Sequence, residues 1–313
     1  MTKKNRYIDI CKKHKGIPLF MQPWWLDAVC TEWDAAVATK GDLVTGIWPY
    51  PVEHKMGVNM LRTPLLTPYL GPHVFYPDDL KESKLDSHEH DTIADLMKQL
   101  PTFKVWHLAV EPGIKQVGLF KKYGLRPQVQ QTFTLALNKD ESVLLSDMKD
   151  TMRRNLKQTA GEITITESTA ALPELFAFHK QTLSKKGNEI PYTLADLERI
   201  MQACTANNAA RLWVAKNGKT TEAIIWQVFD DHCSYYFMGG QNPEASGYKS
   251  MSLLLWHAMK EAKKMGHHTF DLEGSMDEGV ERFFRNFGGQ RNLYIVLYKN
   301  DSLLWKMKKM MLG

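Results

Sequence analysis

The sequence is poor in cysteine. Its 313 residues hold four, Cys11, Cys30, Cys204 and Cys233, scattered along the chain with no CxxC pair. Neither a zinc site nor a disulfide framework follows from that spacing. Long apolar runs are missing too. No stretch approaches the ~20 residues that span a bilayer, and the opening MTKKNRYIDICKKHKG has no apolar signal core. Nothing resembles a Ser-His-Asp triad or a Walker loop. A soluble, cytoplasmic chain is expected. The composition is that of an ordinary globular protein, 43% hydrophobic and 24% charged, which excludes disordered and collagen-like classes. The length suits two domains or one large one.

The net charge of +5 is unevenly spread. Residues 1–15 carry Lys3, Lys4, Arg6, Lys12, Lys13 and Lys15 against Asp9, and residues 299–313 carry Lys299, Lys306, Lys308 and Lys309 against Asp301. The rest of the chain holds 30 basic and 33 acidic side chains, so the excess positive charge belongs to the two ends. Such ends read first as solvated tails. The alternatives are a weak contact with anionic lipid, for which Trp305 among the terminal lysines is suited, or a contact with RNA phosphate.

Periodicity and turn residues divide the chain into short elements. Pro23 opens a helix WWLDAVC. Two strands flank a turn at Lys40-Gly41-Asp42, VNMLRTP is a third strand, and TPYLGPH is a loop. A helix DTIADLMKQL, a strand KVWHLAV, a helix ending at Gly124 and a strand QVQQTFTLAL follow. Next come one helix over 141–161, a strand EITITES, a helix stopping at Gly187, and a helix capped by Thr193. A hairpin turns at Asn217-Gly218, HCSYYFMGG is a strand and SLLLWHAMKEAKKMG a helix. The strand HTFDLEGS, the helix DEGVERFFRNFG, the strand RNLYIVLYKN and an amphipathic terminal helix packed through Met307, Met310 and Met311 complete the series. His88-Glu89-His90 lies in SKLDSHEHD, a polar stretch read as a loop, so no metal site is expected there.

Two parts of the chain match each other. The strand HLAVEPG, the helix LFKKYG and the strand QQTFTLAL run in the same order as TFDLEGS, FFRNFG and NLYIVLYK. The alignment sets Glu111 against Glu273, Phe120 against Phe284, Tyr123 against Phe287 and Gly124 against Gly288. A tandem duplication with its boundary near 138–141 is expected.

That order of elements resembles the GNAT acyltransferase fold, and two such units in tandem are similar to the Fem family of aminoacyltransferases and their FemAB-like relatives. Met152 to Gly161 is similar to the family's Arg-x-x-Ile-x-x-Ala-x-x-Gly helix, and Tyr69-Leu70-Gly71-Pro72 to its Tyr-x-Arg-Gly-Pro loop. Phe270-Asp271-Leu272-Glu273-Gly274 with Phe284-Arg285-x-Phe287-Gly288 is similar to its second-unit strand and Phe-Lys-x-x-Phe turn. Leu70 stands near the place of the loop arginine, and Arg285 replaces the lysine. The implied fold class is α/β (α+β), with two GNAT-like units, each a mixed, mainly antiparallel sheet flanked by helices. Residues 1–138 would form the acceptor-side unit and 139–313 the donor-side, catalytic unit.

The implied activity is transfer of an acyl or aminoacyl group onto an amine, in cell-wall peptide or related envelope metabolism. No tightly bound cofactor is implied. The co-substrate is acyl-coenzyme A or aminoacyl-tRNA, so charged tRNA is an implied partner, and a small-molecule or peptide amine is the acceptor. Amine acylation needs a proton route and donors for the tetrahedral oxyanion. Asp271 and Glu273 alternate on one expected strand and would share a face. They are the candidate bases, with Tyr236 as candidate acid, and each has a structural alternative as a helix cap or as strand packing. The donor-side candidates are Gly247, Lys249 and Ser250 at a helix start, where amides and the dipole favour an anion, with Arg282, Phe284 and Arg285. The acceptor-side candidates are Trp25, Arg62, Tyr69 and Gly71, although a tryptophan such as Trp25 more often anchors a core than stacks on a ligand. A fold kept as a non-catalytic ligand- or RNA-binding protein is the alternative.

Overall fold

The computed structural model describes residues 2–55, 57–159, 161–185, 187, 189–245, 249–274 and 278–302. The basic N-terminal stretch is a packed helix rather than a tail. In α1 (Lys3–Lys13) Thr2 accepts a hydrogen bond from the Asn5 amide at 3.2 Å, and Tyr7 and Ile10 are buried. Two apolar residues three apart face the core while the lysines face solvent, so the local charge count concealed an amphipathic helix. A turn at Leu19–Met21 leads to α2 (Pro23–Val29), with proline in its first turn.

Strands β1 (Trp33–Lys40) and β2 (Leu43–Pro51) form the expected hairpin about Gly41, and β3 (Glu53–Lys55), β4 (Val58–Arg62) and β5 (His73–Val74) follow. Helix α3 (Glu82–Gln99) is longer than its periodic core suggests and takes in His88-Glu89-His90, which corrects the loop reading of that stretch. Buried Glu89 begins the inward face that Ile93 and Leu96 continue. It accepts from the Tyr76 hydroxyl at 2.7 Å and the Lys115 amide at 3.1 Å, and these bonds make its burial tolerable. Then come β6 (Val105–Ala109), α4 (Val117–Lys122) and β7 (Arg126–Ala136).

The single helix expected over 141–161 is two, α5 (Glu141–Asp147) and α6 (Asp150–Thr159). The break has a tertiary cause: the Lys149 amide donates to the Asn286 carbonyl at 2.9 Å instead of continuing a helix. Strand β8 (Thr164–Glu167), α7 (Leu172–Lys185) and α8 (Leu194–Ala206) follow, and the Thr193 cap is present as a full capping box with Asp196. β9 (Ala210–Asn217) and β10 (Thr220–Phe229) are joined through Gly218 at φ +56. After β11 (Cys233–Gln241) come α9 (Lys249–Lys264), β12 (Thr269–Asp271), α10 (Glu278–Arg285) and β13 (Gln290–Asn300). The expected terminal helix lies outside the described residues.

Two compact units result, Met1–Gln130 with Leu293–Gly313, and Gln131–Asn292. They differ from a division at 138/139 in that residues 293–302 join the first unit and half of β7 joins the second. The first unit has a sheet in the order β1-β2-β5 and a run β3-β4-β6-β13. Around them its core gathers Tyr7, Phe20, Trp25, Trp48 and Phe120, all fully buried. The second unit has the run β7-β12-β11-β10-β9-β8. Among the described strands each unit holds one parallel pair, β4 with β6 and β11 with β12, and the remaining pairs within it are antiparallel. This is the expected mixed, mainly antiparallel sheet. The second core joins Phe133 and Leu135 of β7 to Met152 and Leu156 of α6, Leu254 and Leu255 of α9, and Phe270, Phe284 and Phe287.

Candidate active site

The chemistry-bearing residues of the second unit meet where β12 stops. Beside β11 this strand pairs only through Cys233–Tyr235, opposite Thr269–Asp271. Past Asp271 the backbone turns sharply, with Glu273 in the left-handed region at φ +50, a conformation costly for a residue with a Cβ. Glu273 is therefore not on the strand, and alternation does not set its direction as expected from sequence. Gly274 follows because its backbone presses on β7: a Cβ there would stand 1.9 Å from the Gln131 carbonyl.

Asp271 is buried, and its Oδ1 accepts from the Thr132 hydroxyl and from the Glu273 amide at 2.7 Å. The same Thr132 oxygen accepts from the Gly274 amide at 3.0 Å. Burial pushes the Asp271 carboxyl up to about 6, against the two hydrogen bonds that favour its charged form. Glu273 is raised well above the usual carboxylate range, first by burial and then by the Asp271 charge. Its Oε1 is buried with no hydrogen-bond partner among the described residues. Tyr236 of β11 is half-buried; its ring meets Phe284 edge-on at 5.6 Å, and its hydroxyl rests on Gly239, where a Cβ would stand 1.9 Å away. Burial and the nearby Glu273 charge raise its phenol, which therefore stays protonated at neutral pH. A carboxylate with an unused oxygen can take a proton, and a protonated hydroxyl within reach of its charge can give one.

The three catalytic candidates, Asp271, Glu273 and Tyr236, thus come together, and Thr132 joins them. Sequence reasoning missed Thr132, because a threonine in a strand carries no signal of its own and its partner lies 139 residues away. Phe284 is brought to the same place as part of the core. Of the other donor-side candidates, Gly247 lies outside the described residues. Lys249 is exposed at the start of α9, and the hydroxyl of buried Ser250 donates to Glu222. Arg282 pairs with Glu278 at 3.1 Å and Arg285 with Glu281 at 3.7 Å, both pairs on the surface of α10. The acceptor-side candidates lie in the first unit. Trp25 is fully buried and donates to Thr67 at 3.1 Å, Tyr69 packs edge-on against Phe20 at 5.3 Å, and Arg62 holds Glu53 at 2.8 Å through its Nε. Gly71, at φ +45, sits against Trp48, where a Cβ would meet the indole at 2.5 Å. Among the described residues no group of His, Cys, Asp and Glu could hold a metal ion, and no helix is long and apolar enough to cross a membrane.

Residues 145–285 match a family described as an acetyltransferase (GNAT) domain. No curated protein matches the sequence. Among solved structures the chain is similar to FemX, with a TM-score of 0.69 at 13% identity over 98% of both chains. L-PGS from Bacillus licheniformis is similar with a TM-score of 0.56 at 11% identity, over 98% of this chain and 95% of that one. A tandem GNAT protein from the clavulanic acid biosynthesis pathway is similar with a TM-score of 0.50 at 8% identity, over 85% of this chain and 82% of that one. At such identities the likeness is one of fold. The matched stretch spans from the end of α5 to the end of α10 and contains both carboxylates of the site. Through this domain the protein is a transferase acting on acyl groups, built on the tandem GNAT fold.

Proposed function

We propose that the second unit transfers an acyl or aminoacyl group from an activated carrier onto an amine, with Glu273 as the proton acceptor. The observation that carries this reading is the buried Oε1 of Glu273, which has no hydrogen-bond partner among the described residues, in a carboxyl that feels the Asp271 charge and whose own charge reaches Tyr236. The amine nitrogen attacks the carbonyl carbon and the new C–N bond forms while its proton passes to Glu273. The bond from carbon to the carrier's sulfur or oxygen breaks, and the leaving atom takes the proton of the Tyr236 hydroxyl. Asp271 holds the turn, and its negative charge adds to the burial that raises Glu273 above the usual carboxylate range.

The donor is an acyl-coenzyme A thioester or an aminoacyl-tRNA ester. The first is supported by the match of residues 145–285 to an acetyltransferase (GNAT) domain. The second is supported by the fold shared with FemX and L-PGS. The acceptor is a small-molecule or peptide amine, in keeping with a role in cell-wall or envelope chemistry and a cytoplasmic place of work. The deciding experiment offers the protein acetyl- and long-chain acyl-coenzyme A and a set of aminoacyl-tRNAs, with amine acceptors, and follows acyl transfer. Transfer that drops by about 100-fold or more in Glu273→Gln supports the reading. Wild-type rates in both Glu273→Gln and Asp271→Asn overturn the site. Donor binding with no transfer to any acceptor makes the protein a binding protein instead.

A further inference from the structure

We infer that Thr132 is a positioning residue: its hydroxyl holds the turn 271–274 closed and so sets which carboxylate of the site carries the proton. The inference rests on the proposed role of Glu273 and names what keeps that residue in place. Thr132 is buried in β7, and its single hydroxyl is used in both directions. It accepts from the Gly274 amide, so its own proton is committed to Asp271 Oδ1. That oxygen receives the Glu273 amide as well, and an oxygen accepting two donors is not the one that is protonated. The Asp271 proton, when present, therefore sits on Oδ2.

Two of the three bonds tie residues 271 and 274 to Thr132 on the neighbouring strand, and the third closes the Glu273 amide onto the same Asp271 oxygen that Thr132 holds. They are what opposes relaxation of Glu273 from φ +50 to the extended backbone it would otherwise favour. Without the hydroxyl, two changes follow with opposite signs. Asp271 loses a hydrogen bond to its charged form and its carboxyl titrates higher. Glu273 is released toward solvent, loses the burial that raises it, and titrates lower. A merely structural threonine would move neither in this way.

The test compares the wild type with Thr132→Val, which keeps the shape and removes the hydroxyl, and with Thr132→Ser, which restores it. Side-chain carboxyl carbons are observed by NMR across the pH range in 13C-labelled full-length protein, with Asp271→Asn and Glu273→Gln used to assign the two signals. This readout needs no substrate. The expected result is an Asp271 midpoint about one pH unit higher in the valine variant, a Glu273 midpoint that falls, and both near wild type in the serine variant. Unchanged midpoints in a folded valine variant overturn the inference, as does a serine variant that behaves like valine. If valine does not fold, Thr132→Ala is read in its place. Where a donor has been found, kcat should fall about tenfold or more with KM unchanged and recover in the serine variant. A wild type that transfers nothing defeats the proposed function and leaves the titrations to judge Thr132.

Discussion

Glu111 and Glu273 occupy the same place in the two copies of the repeat, just past a strand and ahead of a helix that ends in a glycine with positive φ. In the first unit the carboxylate is satisfied, since the His73 Nδ1 lies 2.9 Å from Glu111 Oε2 and clips β5 to the end of β6. In the second the counterpart gives its amide to Asp271, keeps a buried oxygen with no partner among the described residues, and is raised well above its ordinary titration range by burial and then by the Asp271 charge. The same local frame thus serves a hydrogen-bonded carboxylate in one unit and, among the described residues, an unsatisfied carboxyl in the other. Unsatisfied buried groups are costly. In the proposed reaction this is the oxygen that takes the proton.

The comparison breaks most directly at those two residues. Glu273→Gln should lower transfer by about 100- to 10,000-fold, whereas Glu111→Gln should leave kcat within a few-fold, as measured by steady-state kinetics on both variants. Equal losses would mean that the two carboxylates do not differ in role.

The paired glycines give the next effect. Alanine at Gly124 or Gly288 forces a side chain into left-handed backbone, at about 1–2 kcal/mol in each. Gly124 has open space, its nearest neighbour being the Lys299 ammonium 4.0 Å from a built Cβ, while at Gly288 that Cβ would stand 2.6 Å from the Asp147 carbonyl. Gly288→Ala should therefore cost about 1–3 kcal/mol more than Gly124→Ala in denaturant unfolding. Equal costs would mean that the α5–α6 junction yields freely.

Asp271 offers a pH signature. Its carboxyl is raised from 3.8 to about 6 in the folded chain, so the folded form binds the proton more tightly than the unfolded one. The fold then gains stability as pH falls from 6 toward 4, and above 6 it bears the full cost of the buried charge. Asp271→Asn keeps an Oδ1 acceptor for Thr132 and Glu273 and does not titrate. Between pH 4 and pH 8 the wild type should lose up to about 3 kcal/mol relative to this variant, read from thermal melts. Parallel curves would place Asp271 in a more polar setting.

The smallest effect belongs to Arg282, whose pair with Glu278 is open to water at 64% and 86% side-chain exposure. Arg282→Ala should change stability by less than about 0.5 kcal/mol. A several-fold rise in KM for the donor in the same variant would show that the guanidinium meets phosphate.

Much of this was legible in the chain because it is local. The Thr193 capping box, the turn at Gly218 and the helices ending before Gly124 and Gly288 are set by residues a few positions apart. What escaped depends on distant partners. Thr132 has meaning only against Asp271, the helix over 141–161 breaks because Asn286 competes for an amide, and Glu273 leaves the strand because a turn is held from β7. The basic N-terminus misled through its charge, since Tyr7 and Ile10 are few among lysines yet decide which side of α1 is buried.

The return of β13 to β6 has a consequence for how the protein is made. Ala109 pairs with Val296, and Val105 with Asn300. As the chain leaves the ribosome, β6 can meet β4 early, yet its other flank stays bare until β13, almost 190 residues further on, has emerged. A strand flank with unclaimed amides and carbonyls is a template for any neighbouring chain, and synthesis at about 5–20 residues per second keeps it so for many seconds. Crowding by sister chains on one messenger, rather than weakness of the finished fold, would then limit the yield of folded protein.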